Sequence, residues 1–388
     1  MLDGIFRNPT EIIFGKSALD NLGAKARQTG NRALVVHGEK SYTNSGLGER
    51  IRAQLQQSEV KFVELGSVQP NPRADLVYRG LELAHKHDID FILAVGGGSV
   101  IDTAKAIGIG MHYDGDFFDL FLGKAIPTRM TSVGVVLTIF GSGSESSDGA
   151  VIDKKGRKYP CGGSMMYPCF AILDPIITES VPALLLASGI YDSICHILER
   201  YFTPTPYVET SDELCFALLK VLVGLGPQLL RDTENYEIRA NVMWASKLAH
   251  DGTVGFGRKH DWATHTIAHE IGARTNKPHG AVLAVLFPAW MKFMKDQIPG
   301  TLGKLGTGVF SSQKAYTLNA QDTICRMEEL VISLGLPTRL NELGIDNDKI
   351  FSSIAECCSQ TTKSGTIGNL KRLNKDDIVK ILELAEGK

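Results

Sequence analysis

Apolar positions follow two different rhythms along the chain. Up to about residue 182, short apolar runs at 33–37, 61–65, 91–95 and 133–137 are each bounded by turn-forming residues, which predicts strands. Between them, residues 74–87 and 100–110 carry helical spacing. Strand, helix and strand at such intervals require right-handed crossovers, so the first half is expected to be α/β, with a parallel sheet covered on both faces. After Asp174, Pro175 and Pro182 the strand signal fades. Long apolar-periodic runs cover 183–202, 211–230, 236–250, 262–273 and 321–334, predicting an all-helical second half. Residues 203–206 and 298–300 read as turns. The expected division is 1–180 (α/β) and 181–388 (all-helical), with a small-molecule cleft between the halves.

Composition narrows the class. The chain has 388 residues, 43% hydrophobic and 22% charged, which fits two or three globular domains rather than a disordered or fibrous chain. Its 41 basic and 43 acidic side chains leave a formal charge of -2, so no global field draws in nucleic acid or an acidic membrane. Seven cysteines, odd in number and without a Cys-x-x-Cys pair, argue against a disulfide framework or a zinc ribbon and suit a reducing cytoplasm. The start lacks the basic-then-apolar order of a signal peptide, and Pro288 interrupts the longest apolar stretch, 281–291. Neither export nor a membrane span is expected.

Two glycine-rich turns are candidates for phosphate binding. Gly96, Gly97, Gly98 and Ser99 follow the 91–95 strand directly and open a helix that carries Asp102. Successive glycines let the backbone approach a ligand and turn N–H groups toward one point at the positive end of a helix, which suits a pyrophosphate. The turn at 141–145 follows the next strand, and its hydroxyls can bond ribose or phosphate oxygens. After the first strand come Gly38, Glu39 and Lys40. An acidic side chain there accepts ribose hydroxyls and repels a 2′-phosphate, which favours NAD over NADP.

A second constellation lies in the helical half. Asp192 and His196 share one face of an otherwise apolar helix, where a buried carboxylate needs a counter-charge or a metal. His265 and His269 share another face, and His279 sits at a proline-bounded turn where its ring can swing toward that pair. Three imidazoles and one carboxylate suit Fe2+ or Zn2+ and fit Ca2+ or Mg2+ poorly. His250 and His260 lack a partner at useful spacing and read as structural.

These residues resemble the iron-containing (group III) alcohol dehydrogenase family, in its butanol-dehydrogenase-like branch. The likeness runs through Asn8-Pro9-Thr10, Pro70-Asn71-Pro72-Arg73, the 96–102 turn, Gly143-Ser144-Glu145, Leu173-Asp174-Pro175, Asp192 with His196, and 261–280. It implies a dinucleotide-binding α/β domain followed by an all-helical metal and substrate domain, a small-molecule aldehyde or alcohol as substrate, and a homodimer. By the resemblance the metal ligands are Asp192, His196, His265 and His279, while His269 relays a proton or positions substrate beside them. Cofactor contacts carried over are Gly38, Glu39, Asn71, Gly97, Gly98, Ser99, Asp102, Thr138, Ser142 and Lys158. Phe256 stands where relatives place a substrate-pocket aromatic. Phe140 and Ser142 depart from the family's usual smaller residue and threonine.

Arg258, Lys259, Arg274 and Lys277 add a local basic character that could recognise an aldehyde bearing a sulfonate, phosphate or carboxylate. The expected activity is metal-dependent, NAD-linked interconversion of alcohols and aldehydes, acting mainly in reduction. The rival in another reaction class is a lyase of the dehydroquinate-synthase type, which uses NAD transiently and shows no net change in NADH.

Overall fold

The computed structural model describes residues 1–38, 40–43, 45–311, 317–345 and 348–387. The chain forms two compact units, Arg7–Pro182 and Ala183–Lys388, the second also including Met1–Phe6. The Met1 amine donates to the Pro206 carbonyl and the Leu2 N–H to that of Gly257, so the first six residues belong with the helices rather than with an α/β unit starting at residue 1.

The α/β unit contains β1 (Glu11–Phe14), β2 (Arg32–His37), β3 (Lys61–Leu65), β4 (Phe91–Gly96), β5 (Val133–Leu137), β6 (Gly149–Lys154), β7 (Arg157–Gly162) and β8 (Phe170–Leu173). Its helices are α1 (Leu22–Thr29), α2 (Lys40–Thr43), α3 (Leu47–Gln57), α4 (Ala74–Lys86), α5 (Gly98–Gly110) and α6 (Phe118–Phe121). Six strands form one sheet in the order β1-β8-β5-β4-β2-β3, all parallel. Every residue of β4 and β5 is buried, which is why both read as unbroken apolar runs. On one face, Phe91, Leu93 and Val95 pack with Leu19, Leu22, Ile51 and Leu55. The chain runs from β2 outward to β3 and then returns to β4 on the other side of β2. The carboxyl ends of β2 and β4 therefore flank a topological switch point, where open α/β sheets bind ligands.

Four strands here lie outside the predicted set. Strands β1 and β8 are four residues each and pair with one another across a long stretch of chain. The antiparallel β6–β7 hairpin turns through Lys155 and Gly156, both at positive φ, which matches the twist of a tight two-residue loop.

The helical unit holds α7 (Ala183–Tyr201), α8 (Glu209–Arg231), α9 (Tyr236–His250), α10 (Ala263–Thr275), α11 (His279–Met294), α12 (Pro299–Phe310), α13 (Ala320–Ser333), α14 (Asp348–Ser359) and α15 (Lys375–Glu386). Helix α7 is buried continuously from Leu186 to Tyr201 and packs against α8, α9 and α11. Helix α8 is long and apolar enough to cross a membrane by length and composition alone, yet it buries Cys215, Phe216, Leu219 and Leu222 among the other helices. Pro288, expected to interrupt an apolar stretch, lies inside α11. The expected turn at 298–300 is instead the start of α12, with Pro299 in the first turn, where a missing N–H breaks no intrahelical bond.

Helices α7 and α11 approach so closely that a Cβ at Gly280 would lie 1.9 Å from the Ser188 carbonyl oxygen. That approach sets His279, the first residue of α11, against the α7 turn leading to Asp192. Because the obstructing atom is backbone, Gly280→Ala is expected to cost about 3 kcal/mol, the upper end for overpacking, as a fall in the urea midpoint. An unchanged midpoint would contradict the close approach.

Candidate functional site

Helices α7, α10 and α11 each bring one polar residue to a common point. One ligand atom each of Asp192, His265 and His279 lies within 4.8 Å of the other two. The Asp192 Oδ1 is 3.7 Å from His265 Nε2 and 3.8 Å from His196 Nε2, so His196 borders this group of three through Asp192. These separations are too long for hydrogen bonds and a little wider than the roughly 3.4 Å between two ligands of a tetrahedral ion bound at about 2.1 Å. Asp192 Oδ1 and His265 Nε2 are buried and, among the described residues, have no hydrogen-bond partner. A buried carboxylate oxygen aimed at a buried ring nitrogen is costly unless something cationic lies between them, and the donor set fits a divalent ion such as Fe2+ or Zn2+.

The electrostatics agree. Burial pushes the His196 ring well below the ordinary histidine range, with the nearby His250 and His265 rings adding to the effect, so His196 stays neutral. At His265 burial also disfavours the charged ring, but the carboxylates of Asp192 and Glu199 outweigh it and raise its pKa. The point between Asp192 and His265 thus attracts positive charge. The rings of His196 and His265 stack at 4.9 Å, those of His265 and His279 lie 5.3 Å apart, and His269 is 5.2 Å from His279. His269 is half-buried beside the cluster, one turn after His265. His250 packs edge-on at 4.2 Å against His196, and His260 bonds the Gly255 carbonyl at 2.9 Å.

In the α/β unit, the expected cofactor residues gather at the carboxyl ends of β2, β4 and β5. Gly97 caps α5 without a side-chain cap hydrogen bond among the described residues, and Gly98 and Ser99 form the first turn, whose N–H groups have no partner within a helix. A Cβ at Gly98 would lie 2.6 Å from Ser142 Oγ, so the two glycine-rich turns press together. Gly38 follows β2 and comes near Val100, while Thr138 is buried at the end of β5 with its N–H on the Gly96 carbonyl. Asn71 takes a left-handed φ of 61° in the loop whose Pro72 carbonyl accepts from Asp153 N–H of the hairpin. Lys158 lies on that hairpin opposite Asp153 and close enough to Asp102 to act on its charge. Glu39 lies outside the described residues.

Asp102 is bonded inward. Its oxygens accept from Ser144 Oγ at 2.6 Å and from Val151 N–H at 2.9 Å, tying α5 to the second turn and to the hairpin. Burial pushes its carboxyl up, with Lys105 foremost among the groups opposing the rise. The Lys105 ammonium, pushed down to about 8 by burial, donates to the Ser147 and Gly149 carbonyls and completes this brace.

The three expected substrate residues fall in different settings. The Phe256 ring packs edge-on against Phe6 at 5.9 Å. Lys277 is exposed, two residues before His279. Arg258 is fully enclosed, with its guanidinium on Asp212 at 2.7 Å and on the Arg200 and Val208 carbonyls. Its place is therefore inside the helix packing rather than toward a ligand, which corrects the expectation of a substrate-anion contact. Arg274 likewise pairs with Glu270 at 2.8 Å.

One residue of the site was not singled out from the sequence. Glu199 is 1% exposed, and its Oε1 lies at hydrogen-bond distance, 2.8 Å, from His265 Nδ1. Its spacing of seven from Asp192 and three from His196 on one helix face was the available signal.

Models of two protein families cover the chain: iron-containing alcohol dehydrogenase matches residues 9–175, and the C-terminal part of the Fe-containing alcohol dehydrogenase family matches residues 186–385. "Probable NADH-dependent butanol dehydrogenase 2" of Bacillus subtilis is 37% identical over 382 residues, covering 97% of this chain and 98% of the relative. NADH-dependent butanol dehydrogenase A of Clostridium acetobutylicum is 34% identical, covering 99% of each chain. The crystal structure of NADH-dependent butanol dehydrogenase A from Thermotoga maritima superposes with a TM-score of 0.93 at 30% identity, again over 99% of each chain. The chain belongs to the iron-containing alcohol dehydrogenase family, close to bacterial butanol dehydrogenases, and is an oxidoreductase.

Arg258→Ala is expected to cost about 2–3 kcal/mol in urea unfolding. That is below the 3–5 kcal/mol of a wholly orphaned buried partner, because Lys304 still meets Asp212 at 2.6 Å. A variant as stable as the wild type would contradict the structural reading of this arginine.

Proposed function

We propose that this chain is a metal-dependent, NAD(H)-linked alcohol dehydrogenase that acts mainly as a reductase of short-chain aldehydes. The observation carrying this reading is the convergence of Asp192, His265 and His279, with a buried carboxylate oxygen and ring nitrogen facing each other unbonded. The NADH dependence of the butanol dehydrogenases it resembles supports the cofactor assignment.

Asp192, His196, His265 and His279 would hold one Fe2+ or Zn2+. When bound, such an ion supplies Lewis-acid polarisation of a carbonyl oxygen, and a nicotinamide supplies the hydride. The chain's own groups do the remainder. The N–H groups of Gly98 and Ser99 at the start of α5 receive the pyrophosphate, with Gly97 letting the backbone approach and Ser142 and Thr138 offering hydroxyls. Gly38, Asn71 and Lys158 border the same strand ends and contribute ribose and phosphate contacts. Asp102 braces the cradle from behind through Ser144 and Val151. A ring nitrogen of His269 delivers the proton to the product oxygen, directly or through water. The buried ligand helices exclude bulk water from the acidic and imidazole groups, which strengthens their field.

With Arg258 committed to Asp212, recognition of an acid-bearing aldehyde would rest on exposed Lys277, and we assign neutral short aldehydes as the preferred class. The full-length likeness to alcohol dehydrogenases favours net hydride transfer over a dehydroquinate-synthase-like lyase. A cytoplasmic homodimer completes the proposal, in keeping with seven free cysteines.

The test is NADH consumption with four-carbon aldehydes by Fe2+- or Zn2+-loaded protein. Chelation, or His265→Ala, is expected to lower turnover by about 10³-fold, matching the several kcal/mol a Lewis acid supplies, while NADH fluorescence still reports binding. Undiminished turnover after complete metal removal would contradict the reading, and NADH unconsumed by any aldehyde would favour the lyase.

A further inference from the structure

The Glu199 carboxylate lies at the meeting of α7 with the start of α10. Its Oε1 lies 2.8 Å from His265 Nδ1 and accepts from the His265 backbone N–H at 3.1 Å and from Thr264 Oγ1, and its Oε2 accepts from the Trp262 N–H at 2.6 Å. The Trp262 and His265 backbone N–H groups and the Thr264 hydroxyl all donate to this carboxylate, so it serves as an acceptor and the ring nitrogen facing it is assigned as the donor. In the neutral ring the other nitrogen, Nε2, which faces Asp192 Oδ1, then keeps its lone pair.

We propose that Glu199 is a positioning residue of the metal centre, fixing the His265 ring with its proton on Nδ1 so that Nε2 presents a lone pair to the ion. The inference rests on the assignment of His265 as a metal ligand and adds the group that sets its tautomer and orientation. A carboxylate behind a ligating imidazole also raises the basicity of the ligating nitrogen. The same carboxylate holds the backbone that carries the ring. Trp262, the residue before α10, has a left-handed φ of 64°, a strained conformation for a bulky side chain, and its N–H is one of the four groups on Glu199. Ring direction and helix entry are thus set by one side chain, on the helix that also carries Asp192 and His196.

A helix-capping role alone would leave the tautomer and the metal affinity untouched, and two measurements separate the cases. In metal-free, 15N-histidine-labelled full-length protein at pH 8, long-range 15N–1H spectra should find the His265 proton on Nδ1, the signal being assigned through its loss in His265→Ala. In Zn2+ titrations, folded Glu199→Gln is expected to bind about 10–100-fold more weakly than wild type, because a neutral amide replaces the carboxylate and turns an N–H toward one of the donors. A wild-type ring protonated on Nε2 alone, or a folded Glu199→Gln chain binding Zn2+ as tightly as wild type, overturns the proposal. Equal Zn2+ binding by wild type and His265→Ala would instead overturn the metal-centre assignment. If Glu199→Gln does not fold, the wild-type tautomer decides.

Discussion

Two buried polar atoms, Asp192 Oδ1 and His265 Nε2, face each other from different helices without a hydrogen-bond partner among the described residues. Such an arrangement is unfavourable by itself, since each atom has left water without a partner. It persists because packing that has little to do with the site enforces it. Helix α7 is buried on all sides over four turns, and the absence of a side chain at Gly280 lets α11 close onto it. The helical unit thus spends packing energy to hold a cation-seeking point.

The α/β unit solves a different problem by similar means. A parallel sheet with reversed connectivity between β2 and β4 leaves a crevice at their carboxyl ends, and the glycine turn after β4 removes every side chain that would block it. What keeps this cradle in shape is buried charge rather than apolar packing. Asp102 and Lys105, one turn apart on α5, bind the neighbouring turn and hairpin through four hydrogen bonds. Both units therefore place a polar network directly behind the surface that meets a ligand.

The sequence made the central strands and the long helices legible because each is apolar with a definite period: 91–95 and 133–137 are buried throughout, and 236–250 coincides with α9. Strands β1 and β8 were not legible, since four residues carry little pattern and their pairing joins distant parts of the chain. The β6–β7 hairpin turns at Lys155-Gly156 rather than at an Asn-Gly or Asp-Gly pair, and Pro288 concealed α11. At the site, spacing and residue type pointed to Asp192, His196, His265, His269 and His279, and only the family resemblance set His269 apart from the four ligands, whereas Glu199 sat unnoticed beside Arg200 as one of many charged pairs. Arg258 shows the reverse: a cation near a ligand in sequence says nothing of where its guanidinium goes, and Asp212, 46 positions away, claims it.

The most direct test is anomalous diffraction at the iron and zinc edges from crystals of the purified, active protein. One ion per chain is expected, about 2.0–2.2 Å from Asp192 and from the rings of His196, His265 and His279. Active protein with no anomalous peak there, or with its ion bound to other residues, would contradict the account.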